Sequence, residues 1–305
     1  MIGWVLHHQL EHRKAMLVVV LGASIWGLLW LPLRQLENWG LHGIWPTVLF
    51  LGLPILPYAL VIRRLLLAER ENWRFYLVGG SFIGAGFAFY TSGLVLGSII
   101  KTTLLFYLTP VWATLFGMVI LGERSGPMRW FAIFVGLIGC ILIMDFRPTA
   151  FVFQNTDWFG LLSGLSWSLG SVLIRRYPAA SGVMLTFIQY VAGCSIALLI
   201  IAIYDPVLPL AVDWVPVLLL GGLTAAVFLP TILIILRINQ YMSPGLIGLL
   251  MLSELVVAVV SAWLLLGELL LPLQWLGAML IMLTAVLVAT MPMMHVDAAG
   301  VMKDD

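Results

Sequence analysis

Apolar residues run along the chain in ten long stretches separated by short polar breaks: 15–33, 43–62, 75–95, 102–121, 129–144, 158–174, 182–204, 214–236, 244–266 and 272–292. A helix needs about 20 apolar residues to cross roughly 30 Å of hydrocarbon. The pattern therefore predicts an all-α membrane protein of ten transmembrane helices. The first stretch follows the polar run HHQLEHRK and has no small-residue cleavage site after it, so it reads as a retained helix and not a signal peptide.

Ten spans put both termini on one side, and basic residues choose the side. With the N-terminus inside, the inner segments hold Arg13, Lys14, Arg63, Arg64, Arg70, Arg74, Arg124, Arg129, Arg175, Arg176, Arg237 and Lys303, against Arg34, Lys101 and Arg147 outside. One missed helix would scramble this bias, so it also supports the span count. Trp39, Trp45, Trp73, Trp130, Trp158, Trp214 and Trp275 fall near span ends, where indoles favour the interface.

Composition agrees. Apolar residues make up 62% of the 305 residues and charged residues 10%, where a soluble domain carries about 25% charged residues. A net charge of +1 gives no basic surface for nucleic acid. Cys140 and Cys194 lie in separate apolar stretches without metal-ligand spacing and read as small buried side chains. No cofactor or metal is expected.

The chain repeats itself. LGERSGPMRW at 121–130 and LGELLLPLQW at 266–275 share Leu, Gly, Glu, Pro and Trp at equal spacing. SIWGLLWLPLR at 24–34 and LSWSLGSVLIR at 165–175 pair Trp26 with Trp167 and Arg34 with Arg175. The reading is a cytoplasmic segment 1–14, a five-helix repeat 15–147, a second repeat 158–292 and a cytoplasmic tail 293–305. Five is odd, so the second repeat enters the membrane from the opposite side. Such inverted repeats can exchange conformations around a central site, as in many transporters.

These features resemble the EamA-type drug/metabolite transporters. The resemblance rests on two five-helix repeats, each with an early Trp (Trp26, Trp167), and on Pro110, LGE at 121–123, Pro127 and Trp130, then LGE at 266–268, Pro272 and Trp275. It covers about 16–292 and is closest in look to bacterial exporters of aromatic amino acids and metabolites. The second half departs from the pattern at Leu255, which stands in the place of Pro110, with Glu254 before it. The resemblance implies a bacterial inner-membrane exporter, with amino acids as the expected small-molecule substrates and the lipid bilayer as surroundings. A monomer suffices for that reading, and oligomeric state is not fixed by it.

Glu254 is the one acidic or basic residue in the interior of any span. Such a group is either functional, meeting a substrate ammonium or a proton, or a protonated or hydrogen-bonded carboxyl tying two helices together. Trp26 and Trp30 lie one turn apart, and Trp167 is the repeat partner of Trp26, so the three are expected to line a midplane cavity; packing is the alternative. Tyr90, Tyr107 and Trp112 would join them in a broad aromatic surface. The stripe Gly80, Gly84, Ala88 and Ser92 reads as close helix packing; Thr109, Ala113 and Gly117, and Glu254, Ala258 and Ser261, suit packing or a cavity wall. Pro54, Pro57, Pro110 and Pro230 interrupt spans and predict kinks. Lys101 reads as a snorkelling lysine, and Glu123 and Glu268 as structural residues ending each repeat.

Rival classes find little support. The histidines, His7, His8, His12, His42 and His295, lie at or beyond span ends, so a buried Ser–His pair is not available. GASIWG has Trp26 where a nucleophile elbow needs Gly. HExxH and GxxxxGK[ST] are absent. Signalling or scaffolding needs no inverted repeat. A channel stays an alternative, though the spans supply no charged ring for one, and so does a transporter of other metabolites such as sugars or drugs.

Overall fold

Short polar or glycine-marked breaks divide the apolar stretches into fourteen helices among the described residues of the computed structural model. Those residues are 2–145, 152–204, 209, 212–267, 269–290, 295–296 and 302–303, with side chains described only between 13 and 290. Arg147 and Glu268 fall outside them. The first half contains α1 (Ile2–Trp26), α2 (Trp30–Asn38), α3 (Trp45–Gly52), α4 (Ile62–Ala68), α5 (Trp73–Leu96), α6 (Ile99–Phe106), α7 (Thr109–Phe116) and α8 (Pro127–Ile143). The second contains α9 (Asp157–Arg176), α10 (Gly182–Tyr204), α11 (Trp214–Asn239), α12 (Pro244–Met251), α13 (Ser253–Leu266) and α14 (Pro272–Ala289). A two-residue antiparallel pairing joins His295–Val296 to Met302–Lys303.

All ten sequence stretches fall on helix, but not all qualify as spans. Among the described residues, seven continuous or nearly continuous stretches are long and apolar enough to cross a bilayer, and an eighth, Trp45–Leu60 with Ile62–Ala68, bends by 78°. Two fall short for identifiable reasons. α8 has only 17 residues. α9 is long enough, but it buries Asp157, Ser163, Ser168 and Ser171 inside the bundle, and its polarity follows from that central position.

The repeat is visible in the backbone. Gly122 and Gly267 end their helices with φ of 70° and 69°, the left-handed conformation that glycine adopts without steric cost. Each is followed by a helix that opens on proline, α8 at Pro127 and α14 at Pro272. The fourth and ninth stretches also break at matching repeat positions, at Tyr107–Leu108 between α6 and α7 and at Leu252 between α12 and α13.

Close helix crossings hold the bundle together. A Cβ on Gly84 would lie 2.3 Å from Gln189 O and 2.7 Å from Gly193 N, so α5 and α10 touch backbone to backbone. Gly80, Gly84, Ala88 and Ser92 are all buried along this seam, which makes the stripe a packing surface. Thr109, Ala113 and Gly117 are buried too, and the Ser168 hydroxyl of α9 donates to Thr109 O at 3.1 Å. Pro54 and Pro57 lie in the 3-10 stretch Leu53–Leu60 just before the bend, and Pro110 opens α7 after the break. Pro230 sits inside α11 without ending it. Trp39, Trp73, Trp158 and Trp214 are exposed at helix ends, as an aromatic belt requires.

Candidate functional site

The breaks in the helices surround one cavity of about 420 Å³ between the halves. The end of α1 delivers Trp26 and the start of α2 delivers Trp30. α5 contributes Phe87 and Tyr90, the α6–α7 break Tyr107, α9 Trp167, and α13 Glu254 and Ala258. Six of the seven residues singled out in the sequence therefore share one cavity. Trp112 does not line it: it sits half-buried on α7, and its buried indole Nε1 has no partner among the described residues.

The approach of α1 to α13 sets the position of Glu254. A Cβ on Gly27 would stand 2.3 Å from Glu254 O and 2.9 Å from Val257 Cβ. Only a residue without a side chain lets the backbones come this close. Glu254 then opens α13, in its first turn, where the helix dipole favours a carboxylate. Tyr107, at the repeat-equivalent break, donates its hydroxyl to Glu254 Oε1 at 2.5 Å. A hydrogen bond between the two halves thus engages the one carboxylate among the described lining residues.

Trp26 and Trp167 meet through Phe87. Trp26 stacks on Phe87 at 4.9 Å, and Phe87 meets Trp167 edge-on at 5.2 Å. Trp26 also packs on Phe50 and Phe228, and donates from Nε1 to Thr231 Oγ1 at 2.9 Å. At 8% and 3% exposure, Trp26 and Trp167 pack as much as they line. Trp30 is less enclosed, and its Nε1 donates to Ser261 Oγ at 3.0 Å. Sequence reasoning missed Phe87, Phe106, Thr103 and Gln274, which also line the cavity. Phe87 lies one turn from Tyr90 on the same face, a signal that helical spacing carried. Gln274 stands at the repeat position of Arg129.

The lining reaches one end of the bundle, at Leu33, Leu94, Ile99, Met144 and Leu270. The other end is tied shut by polar contacts. Ser243 donates to Glu123 Oε2 at 2.6 Å, and Arg129 Nη1 donates to the same oxygen at 3.3 Å. Arg175 Nη1 donates to Gln240 O at 2.8 Å, and Gln240 Nε2 to Ala180 O at 2.8 Å. Tyr76 donates to Glu69 and accepts from Ser181 N. Glu123 thus lies in this closed face, away from the cavity. Lys101 donates to Val152 O at 2.6 Å and to Asp157 Oδ2 at 3.5 Å, so it is a paired structural cation. Cys140 and Cys194 are free thiols, and among the described residues no three His, Cys, Asp or Glu side chains gather to hold a metal.

Known proteins share this architecture. The chain is 25% identical over 174 residues to the "Uncharacterized transporter YoaV" of Bacillus subtilis, covering 53% of this chain and 57% of that protein. It is 30% identical over 158 residues to the "Aromatic amino acid exporter YddG" of Ancylobacter novellus, covering 50% and 54%. The chain thus matches little more than half the length of these curated relatives. A solved crystal structure superposes with a TM-score of 0.68 over 91% of this chain and 96% of that one, and at 22% identity the likeness shows the fold alone. The model of the EamA-like transporter family matches twice, at residues 13–145 and 154–290, once for each half. A duplicated helical bundle with a cavity between its halves and two family matches covering most of its length belongs to the EamA-like transporter family.

Proposed function

We propose that this chain is a carrier of the bacterial inner membrane. It crosses the membrane ten times, keeps both termini in the cytoplasm, and exports small, partly apolar metabolites bearing an amino group, amino acids foremost among them. Transport proceeds by alternating access around the cavity between the halves. The observation that carries this reading is a cavity lined from both repeats, reaching one end of the bundle and tied shut at the other. A channel would need a continuous path, and the ties at Glu123 and Gln240 oppose one. The orientation rests on the excess of Lys and Arg in the inner segments. The amino-acid class draws support from the name of the Ancylobacter relative.

Purified protein in liposomes tests the reading. Flux of labelled phenylalanine or a related amine should saturate with concentration, with or without a pH gradient. Trp26→Phe and Trp167→Phe keep an aromatic ring in the packing but change the cavity wall, and each should lower the initial rate several-fold at unchanged folded yield. Flux that never saturates would favour a channel. Normal rates in both variants would reduce these rings to packing.

Topology has its own measurement. A reporter active only in the periplasm, fused after Asp305, should give no signal. Strong activity would reverse the proposed orientation.

A further inference from the structure

The charge of the cavity lining is one-sided. Glu254 Oε1 takes the Tyr107 hydroxyl, while Oε2 has no hydrogen-bond partner among the described residues. No Lys, Arg or His is among the described lining residues. Lys101, two residues from the lining residue Ile99, is already held by Asp157 and Val152 O.

The lining offers little else to an anion. Trp26 and Trp30 spend their indole N–H groups on Thr231 and Ser261, and Gln274 Nε2 donates to Ile143 O. At the helix breaks several amides are spent: Leu29 N donates to Trp26 O, Val111 N and Trp112 N to Leu108 O, and Leu255 N to Leu252 O. The lining also holds the hydroxyls of Tyr90 and Thr103. A carboxylate brought beside Glu254 gives up water for few partners and meets a like charge, which makes its burial expensive. An ammonium finds the reverse: a carboxylate oxygen in front and aromatic faces around it.

We infer that the cavity takes small organic monocations, namely aromatic or aliphatic amines lacking a free carboxylate, with the ammonium on Glu254 Oε2 and the apolar body among Trp30, Tyr90 and Phe106. This rests on the proposed transport function and changes its order of substrates: the amine, and not the amino acid, ranks first. An amino acid keeps the ammonium contact but carries its own carboxylate into the unpartnered part of the cavity, so it ranks below the matching amine. A neutral hydroxyl in place of that carboxylate fits the Tyr90 and Thr103 pair.

Titration calorimetry on the purified full chain at neutral pH separates the classes with four probes: phenethylamine, phenylalaninol, phenylalanine and 3-phenylpropionate. The two amines should bind, phenylalanine at least about tenfold more weakly, and phenylpropionate not measurably, because an unpartnered buried charge costs several times the free energy of one decade in affinity. Glu254→Gln, which keeps the side-chain shape and a hydrogen bond to Tyr107, should weaken both amines at least about tenfold. The probe series on the unmodified protein decides the question even where this variant does not fold. Phenylalanine binding as tightly as phenethylamine, or measurable phenylpropionate binding, overturns the inference and leaves the transport reading in place. Amine binding that depends on Glu254, without saturable amine flux in liposomes, upholds the ligand class and overturns the transport reading instead.

Discussion

Replacing Gly84 with valine should strip the protein of much of its stability. The first added carbon would lie 2.3 Å from Gln189 O and 2.7 Å from Gly193 N, both backbone atoms, so no rotamer change relieves the clash. α5 and α10 would have to move apart along a seam that also buries Gly80, Ala88 and Ser92. Overpacking a fitted interior costs about 1–3 kcal/mol, and a clash against two backbones belongs at the upper end. The expected readouts are a lower melting midpoint of the purified protein and several-fold less folded protein in the membrane. Gly222→Val is the control, since a Cβ there meets nothing within 4 Å. Equal midpoints for the two variants would mean that the seam is looser than its geometry.

Removing the Glu123 carboxylate should be nearly as damaging, for an electrostatic reason. Arg129 is only 6% exposed, its Nε has no partner among the described residues, and Glu123 is its one acidic contact, at 3.3 Å. Glu123→Ala strands that guanidinium and also frees Ser243, and breaking one side of a buried ion pair costs about 3–5 kcal/mol. The Ser125 hydroxyl, which also accepts from Arg129 at 3.3 Å, places the expected loss near the lower end. Removing both charges together in Glu123→Ala/Arg129→Met should recover most of it, because the cost lies in the orphaned charge and not in the missing attraction. Melting midpoints of the four proteins form the cycle. A double variant no better than Glu123→Ala alone would show that the pair matters for packing and not for charge.

The sequence made the large features readable because they repeat or because they break a strong rule. LGE followed by a proline fixed both glycine turns and both proline-led helices. Glu254 drew notice as a carboxylate in an apolar run, and the structure sets it in the cavity wall beside Tyr107. Span counting worked less well. α9 is a central helix whose serines and glycines face protein, so its mean apolarity understates its depth, and α8, at 17 residues, is a few short of the usual length. Trp112 illustrates another limit. Helical spacing puts residues on a face, but the break after Tyr107 turns α7 relative to α6, and no residue pattern gives the size of that turn. Phe87 was legible by spacing yet hidden among many phenylalanines.

The closed face has a counterpart at the same repeat positions. Ser98 and Gln274 stand where Ser243 and Arg129 do, and Gln274 Nε2 donates across to Ile143 O at 3.1 Å, while Glu268, at the repeat position of Glu123, lies outside the described residues. Ser98 Oγ accepts from Lys101 N, and Gln274 Oε1 from Leu271 N, so each caps its own helix. The same repeat positions thus carry different contacts at opposite ends: Ser243 and Arg129 meet at Glu123, while Ser98 and Gln274 bond within their own helices and, for Gln274, to Ile143 O. Gln274 in place of the arginine also leaves the second set without the cation of the first, so it cannot close by the same ion pair. Under the proposed mechanism, added salt and solvation would then loosen one end more than the other, giving a machine of symmetric design an unequal pair of locks.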